Sequence, residues 1–319
     1  MNKKLTFVVV LAALALTVAS HAQLRQGPNF SAWAPLTHLP APINSEYDDQ
    51  AAVLSKDERT MYFSSNRPGS VNGSRDIWVS TRRTKNSAWR TPVNLGPVIN
   101  SSGTELVRSL TSDGHVLLFQ SDRPAGGFGQ ADIWAISRRH VNDDSGWSTP
   151  VNLGSVINTS STELASSYLF ADSGRVRELF FSSNKPGGFG GPDIYMSDID
   201  DLGFALPVNV SELNTPSIET CFWVRDDGLE MIFSSNRPNL TEDRTFDDLW
   251  TTTRLSVYQP WSAPENLGPG INAEGYRDVA PFVTFDGRTM VTSSTRPGGL
   301  GPNGTFDIYM STRRRVGED

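Results

Sequence analysis

The sequence predicts an all-β protein, a five-bladed β-propeller with four antiparallel strands in each blade. Three observations support this fold class. A tryptophan-led motif returns at a nearly constant spacing, the same short β-prone segments follow each copy, and the phase of the first and last copies allows a ring to close. Four-stranded units that repeat radially are the signature of a propeller.

The leading motif occurs five times. It reads "WAPLTHLPAPIN", "WRTPVNLGPVIN", "WSTPVNLGSVIN" and "WSAPENLGPGIN" from Trp33, Trp89, Trp147 and Trp261, and a divergent copy, "FALPVNVSELN", begins at Phe204. Successive copies are 56, 58, 57 and 57 residues apart. A fixed period of this size indicates repeated structural units, so the fold is best interpreted one unit at a time.

Each unit predicts four strands, named A to D. Strand A follows an acidic residue, and an Asp-Gly-type turn leads from it to strand B. Strand B ends in Ser-Ser-Asn-Arg-Pro or a variant of it. A glycine-rich or polar loop then leads to strand C, which begins with Asp-Ile-Trp or a variant. Aromatic and β-branched residues dominate B and C, as strands favour. Strand D is predicted at the outer edge because it carries a proline, which cannot donate to a ladder: Pro35, Pro92, Pro150, Pro207 and Pro264.

The phase of the repeats predicts how the ring closes. The chain begins with a lone D segment at Trp33 and ends with a C strand at Asp307–Thr312. The first D segment is therefore expected to complete the last blade, an arrangement called velcro closure. This leaves five complete blades in one domain, residues 23–319.

The first 22 residues predict a secretory signal peptide. A basic start, MNKK, precedes an apolar run from Leu5 to Ala19 and a Ser-His-Ala exit before Gln23. No cysteine follows that site and no later stretch is apolar enough to span a membrane, so we expect a periplasmic or secreted monomer rather than a lipoprotein. Without the leader the chain keeps 26 basic and 35 acidic residues, a formal charge of −9, which argues against nucleic acid as a partner.

The repeat resembles a known family. The pattern NLGxxIN…E…DG…FSSNRPGGxGxxDIW is similar to the WD-like propeller repeat of TolB-type exported bacterial proteins. It also resembles the propeller part of periplasmic proteins that carry an OmpA-type peptidoglycan-binding domain, although these 319 residues contain no counterpart of that domain. The resemblance implies a binding or scaffolding role more than a given chemistry, since a fold does not by itself fix a function.

The stretch SSNKPGGFGGPDIY, Ser182–Tyr195, is rich in glycine and contains a lysine, as phosphate-binding loops do. A phosphate loop needs a helix N-terminus directed at the anion, whereas a strand follows here. The glycines are instead expected to permit positive φ and a close approach between neighbouring blades. No cofactor is predicted.

One acid and one base per blade are predicted at the loop-rich face. The simplest interpretation is a structural ring of ion pairs or loop caps, formed by Asp49, Glu105, Glu163, Glu219 and Asp278 with Arg67, Arg123, Lys185, Arg237 and Arg296. The alternative is a glycosidase-like set of inward carboxylates, with Asp49, Glu105 and Glu163 as catalytic candidates. Symmetry argues against the alternative, because catalytic acids need unlike environments.

Other chemistry finds little support in the sequence. Of His38, His115 and His140, only the first is expected near the ring, which is too few for a multi-histidine metal centre, and no metal site is predicted. Cys221, the only cysteine, takes the place of Ala51 or Ala165 in other blades and is interpreted as a packing residue.

Function is expected where the repeats disagree. The outliers form a mixed aromatic and charged set predicted to bind a protein, peptide or glycan: Tyr47, Asp48, Arg108, Phe222, Trp223, Tyr276 and Arg277. The first functional prediction is therefore a non-enzymatic binding or scaffolding propeller. The alternative is a carbohydrate-active enzyme that uses carboxylates of the acid ring.

Overall fold

Five β-sheets make up the structure, a computed structural model that describes residues 30–170, 176–238 and 246–317. Each sheet contains strands A, B, C and D in that spatial order, and the predicted five-bladed all-β propeller is confirmed. The predicted signal peptide lies outside the described residues. Within them, no helix is long and apolar enough to cross a membrane.

The three long strands of each blade match the predicted segments. Strand A spans Asp49–Leu54, Glu105–Leu110, Glu163–Phe170, Glu219–Val224 and Asp278–Val283 in blades 1 to 5. Strand B spans Thr60–Ser65, Val116–Ser121, Val176–Ser183, Glu230–Ser235 and Thr289–Ser294. Strand C spans Asp76–Thr81, Asp132–Ser137, Asp193–Asp200, Asp248–Thr253 and Asp307–Thr312.

Strand D is much shorter than the other three. It consists of Val93–Asn94, Val151–Asn152, Val208–Asn209 and Glu265–Asn266 in blades 1 to 4, and of Thr37–His38 in blade 5. In blades 1 to 4 it begins directly after the proline, because a residue without an N–H cannot join the ladder. Blade 3 also has a two-residue strand, Gly203–Phe204, and blade 1 has a 3₁₀ turn at Val71–Gly73.

The ring closes through the N-terminal D strand. Thr37 and His38 pair antiparallel with Met310 and Tyr309 of strand C in blade 5. The His38 Nε2 lies 2.8 Å from an Asp307 carboxylate oxygen, where the other blades use an asparagine from strand D. The predicted velcro closure is confirmed.

The core lies between neighbouring blades. Strand B contributes the largest fully buried side chains, among them Tyr62, Phe63, Phe119, Phe180, Phe181 and Phe233. The repeated tryptophans pack over the same layer: Trp147 and Trp261 are buried, while Trp33 and Trp89 are partly buried. In four interfaces an arginine guanidinium lies 4.3 Å from the tryptophan ring: Arg82–Trp89, Arg138–Trp147, Arg254–Trp261 and Arg313–Trp33.

A buried asparagine ends the leading motif of every unit and brackets strand C. In blade 2, the Asn158 Oδ1 accepts the Ile133 N–H at 2.8 Å, and the Asn158 amide donates to the Ile133 carbonyl at 2.9 Å. The same pair of hydrogen bonds recurs at the equivalent residues Asn44, Asn100, Asn214 and Asn272. Each asparagine thereby satisfies the N–H of one strand C residue. The carbonyl of that residue also accepts a backbone N–H from the segment after strand D, such as the Leu153 N–H at 3.2 Å in blade 2.

The glycine-rich loops approach the next blade as predicted. A Cβ added at Gly129 would lie 2.0 Å from the Ser161 carbonyl oxygen, and one added at Gly190 would lie 2.3 Å from the Pro216 carbonyl oxygen. In the glycine-rich stretch Ser182–Tyr195, the carboxylate of Asp193, the first residue of strand C, accepts the Phe189 N–H at 2.7 Å. This loop therefore caps a strand, and any side chain larger than hydrogen would separate the blades.

We predict that Asn158→Ala lowers the free energy of unfolding by about 1–3 kcal/mol, because it leaves the buried Ile133 N–H unsatisfied. The Ile133 carbonyl keeps the Leu153 N–H at 3.2 Å. Chemical denaturation followed by tryptophan fluorescence measures the change. Asn142→Ala, at an exposed position on the same blade, is the control and should leave stability unaltered. Equal stability of both variants would show that the bracket is dispensable.

Candidate functional site

The five ring acids are fully buried at the start of strand A. Their relative exposure is 0% in every blade. Each carboxylate caps its own D-to-A loop: Glu105 accepts the Ser101 N–H at 3.1 Å and the Ser101 hydroxyl at 2.5 Å. Glu163 and Glu219 receive the same two hydrogen bonds from Thr159 and Thr215.

Arginines pair with four of the five acids. The nitrogen–oxygen distances are 2.5 Å for Arg67–Asp49, 3.4 Å for Arg123–Glu105, 3.1 Å for Arg237–Glu219 and 2.6 Å for Arg296–Asp278. Blade 3 differs, because the Lys185 ammonium lies over the Tyr195 ring, 3.9 Å from its centroid, and makes no ion pair with Glu163 within 4 Å.

Burial dominates the electrostatics of the ring. It raises the pKa of Glu105 and of Asp278 above the usual range, while the hydrogen bonds and the facing arginine act in the opposite direction. The same burial lowers the pKa of Arg123 and Arg237. The structure thus places the catalytic candidates Asp49, Glu105 and Glu163 where each carboxylate holds a loop and has no exposed surface.

The predicted ligand residues separate into two groups. Tyr47, Asp48, Tyr276 and Arg277 lie in the D-to-A loops of blades 1 and 5, on the face that we call the loop face. Two of them join neighbouring blades: Asp48 accepts the Phe306 N–H at 2.9 Å, and Arg277 forms a 2.8 Å ion pair with Asp247.

Arg108, Phe222 and Trp223 lie elsewhere, in the central channel. The channel is formed by the five A strands, which run from the loop face to the A-to-B hairpins on the opposite side, the turn face. Two narrow cavities follow one another along it, and Arg108 and Phe222 line both. Trp223 lines only the cavity nearer the turn face. Sequence reasoning identified these three residues as outliers within strand A, and the structure places them along the channel.

A wider groove opens beside the channel on the turn face. It lies between the hairpins of blades 4 and 5 and has a cavity volume of about 320 Å³, at the lower end of the range of ligand sites. Its lining includes Phe30, Asp226, Phe285, Asp286, Arg288 and Arg315. Phe30 packs on the blade 5 hairpin, where a Cβ at Gly287 would lie 2.5 Å from its ring.

Asp226 connects the groove with the channel, because it lines both cavities. Its side chain reaches solvent, yet the surrounding protein desolvates the carboxyl and raises its pKa, with Lys56 lowering the pKa and Asp227 raising it. A carboxyl with a raised pKa at the edge of a cleft is a typical functional group.

Sequence reasoning missed Asp226 although the repeat contained a signal. Its equivalents are Lys56, Ser112 and Phe285, so this turn position differs between blades, whereas the next residue is the turn aspartate Asp57, Asp113, Asp227 or Asp286. Among the residues that the structure describes, no cluster of histidine, cysteine and carboxylate side chains could hold a metal ion.

Comparison with known proteins identifies similar folds but no family. No protein-family profile and no curated protein sequence matches the chain. The catalytic domain of a GH62 α-L-arabinofuranosidase from Coprinopsis cinerea aligns with a TM-score of 0.54 and 11% identity, over 90% of this chain and 98% of that one. An endo-arabinase from Bacteroides thetaiotaomicron aligns with a TM-score of 0.52 and 16% identity, over 88% and 97%.

The comparison with a TolB-type structure shows a similar propeller fold and nothing more specific. A TolB-type structure from Agrobacterium tumefaciens covers 90% of this chain and 100% of its own, at 13% identity and a TM-score of 0.45. That score is too low to support a functional comparison.

These comparisons correct the first functional prediction, a non-enzymatic binding or scaffolding propeller. The better-matching propellers are an arabinofuranosidase and an arabinase, and they favour the alternative, a glycoside hydrolase. Identities of 11% and 16% show a shared fold alone. Reaction and substrate must therefore be argued from this chain's own residues.

We predict that the ring acids differ in their contribution to stability. Glu219→Gln removes the charge that faces Arg237 and should lower the free energy of unfolding by about 1.5–3 kcal/mol, the range for hydrogen bonds to charged groups. Glu163→Gln should cost less, because Lys185 makes no close ion pair with Glu163. Urea denaturation of both variants tests the order, and an equal or larger loss for Glu163→Gln would contradict it.

Proposed function

We propose that the protein is an exported glycoside hydrolase whose substrate binds in the turn-face groove between blades 4 and 5. The observation that carries the proposal is Asp226, a solvent-accessible carboxyl with a raised pKa where the groove meets the channel. The expected signal peptide makes a periplasmic or secreted location part of the proposal. The propellers of the arabinofuranosidase and the endo-arabinase support the class of reaction.

The groove has the chemistry of a sugar site. Phe30 and Phe285 supply apolar ring surface, and Arg288, Arg315 and the carboxylates supply polar groups at the edges. Sugars bind to such mixtures because their ring faces are apolar and their hydroxyls need polar partners.

Asp226 suits the role of general acid. Glycoside hydrolysis needs one carboxyl that stays protonated to donate a proton to the leaving oxygen, and one that stays ionised. Desolvation keeps the proton on Asp226 to a higher pH than an ordinary aspartic acid retains it. The buried ring acids do not compete for this role, since no solvent-accessible surface remains on their carboxylates.

Of the two other carboxylates that line the groove, Asp227 is paired with Arg225 at 2.7 Å, and Asp286 is the second catalytic candidate. Its Oδ1 accepts the Thr284 hydroxyl at 2.7 Å and the Arg288 backbone N–H at 3.0 Å, so the hairpin fixes its position. In the proposed reaction it activates a water molecule or attacks the anomeric carbon directly. Asp113 makes the same contacts with Thr111 and the His115 N–H in blade 2 but does not line the groove.

We predict that Asp226→Asn and Asp286→Asn each reduce hydrolysis of the cleaved glycan by 100-fold or more, the order expected for losing acid or base catalysis of about 10²–10⁴. Melting temperatures should stay close to that of the wild type. Reducing-sugar release from arabinan, xylan and pectic glycans provides the measurement. Asp113→Asn is the matched turn control and should keep full activity.

The proposal fails if no glycan is hydrolysed by the wild-type protein. It also fails if activity survives in Asp226→Asn but disappears in Glu105→Gln without loss of stability, because the chemistry would then lie in the acid ring.

We predict an alkaline limit of activity set by Asp226. Activity requires the protonated acid, so it is present below the raised folded-state pKa of Asp226 and is lost as pH rises through that pKa. Lys56→Gln removes a charge that lowers this pKa and should move the limit to higher pH. Lys85→Gln, an exposed charge change on the same blade, is the control. A limit that moves to lower pH in Lys56→Gln would contradict the assignment.

A further inference from the structure

The two ends of the described chain meet at the turn-face groove. Residues 30–34 run antiparallel to residues 312–315, and we call this pair of segments the terminal clasp. Phe30 and Arg315 form an antiparallel bridge in the clasp, and both line the groove. The contacts that close the ring therefore also build one wall of the groove. Two backbone hydrogen bonds of 2.8 and 2.9 Å hold the clasp together: Ser31 N–H to the Arg314 carbonyl and Ala34 N–H to the Thr312 carbonyl.

The Phe30 ring is held in place from behind. The Arg313 guanidinium lies over one face of the ring, 4.0 Å from its centroid. Both terminal nitrogens of Arg313 donate to the buried Glu230 carboxylate of blade 4, at 2.7 and 2.9 Å. Its Nε donates to the Gly287 carbonyl at 2.7 Å, in the hairpin that carries Asp286. Because Arg313 occupies one face, the ring surface that Phe30 contributes to the groove lies on the side away from Arg313.

The repeat does not require an aromatic residue at the position of Phe30. The equivalent residue of blade 2, three positions before its tryptophan, is Asp144, which forms a 2.7 Å ion pair with Arg138. In blade 5 the corresponding arginine, Arg313, takes Glu230 of the neighbouring blade as its partner instead. The ion pairing of the clasp is therefore complete without Phe30, and the aromatic ring at the groove needs another explanation.

We propose that Phe30 is the platform on which a sugar ring of the substrate stacks, and that the bound sugar in turn stabilises the terminal clasp. This inference rests on the proposed hydrolase and names the specificity and the regulation of its groove. A sugar ring has an apolar face of C–H groups, and these pack on the negative face of an aromatic ring. Phe30 reaches the groove only while the clasp is closed, so sugar binding and clasp closure favour each other by the same free energy.

Amide hydrogen exchange measured by NMR tests the coupling without any turnover. The protein carries Asp226→Asn, which removes the proposed general acid, and the probes are arabinotriose, xylotriose and galactotriose. The Ser31 and Ala34 amides exchange when the clasp opens, so a trisaccharide at ten times its Kd should slow both about tenfold. The Ser148 amide donates to the Ser137 carbonyl at the equivalent place in blade 2, and its exchange rate should not change.

Two substitutions distinguish the aromatic platform from the clasp itself. Phe30→Leu keeps apolar bulk but has no aromatic face, so clasp exchange without sugar should be unchanged while the affinity for the trisaccharide falls about tenfold. Phe30→Trp keeps an aromatic face and should keep the affinity. Phe128→Leu, at an exposed position on the loop face, is the matched control. If Phe30→Leu itself loosens the clasp, saturation transfer from the new indole of Phe30→Trp to the sugar protons decides.

The outcomes separate this inference from the proposed function. Clasp exchange that slows with sugar and depends on the aromatic ring, without hydrolysis of any glycan by the protein with Asp226 intact, supports the platform and rejects the hydrolase. Glycan hydrolysis with an unchanged KM in Phe30→Leu does the reverse. Exchange at Ser31 and Ala34 that none of the three trisaccharides slows, or equal affinity with and without Phe30→Leu, overturns the inference.

Discussion

The propeller depends on the buried asparagine that brackets strand C in every blade. An inward-facing side chain supplies one acceptor and one donor to a single residue of strand C, at 2.8 Å and 2.8–3.1 Å in all five blades. The segment after strand D supplies a backbone N–H to the carbonyl of this residue, such as Leu153 to Ile133 at 3.2 Å, and the asparagine supplies the acceptor for its N–H. In blade 5 the asparagine is Asn44 of the N-terminal segment, so the same interaction also joins the two ends of the ring.

The two ends of the channel differ in how strongly their residues are fixed by the fold. At the loop face each strand A begins in a carboxylate that caps the preceding loop, and these carboxylates have no exposed surface. At the turn face the hairpins carry no such shared requirement beyond the turn aspartate, and the residue before it differs from blade to blade: Lys56, Ser112, Asp226 and Phe285. Chemical variety can accumulate there without opening the ring.

The contacts of its arginines distinguish the residues that hold the propeller together from those that line the channel. Ring arginines face acids, and the arginines after strand C stack on tryptophans between blades. Arg108 does neither, and it lies in the cavity that Asp226 also lines.

The sequence by itself determined the number of blades, the four strands in each, the closing strand and the residues of the acid ring. These features recur in every repeat, and the alternation of side chains along a strand can be recognised from a short segment. It also identified Arg108, Phe222 and Trp223 as outliers. Only the tertiary structure decided that they line a channel leading to the turn face and that Asp226 and Arg108 line the same cavity. Residues from blades 2 and 4 meet only when the ring closes, and the spacing of the repeats along the chain carries no information about which side chains face each other across its axis.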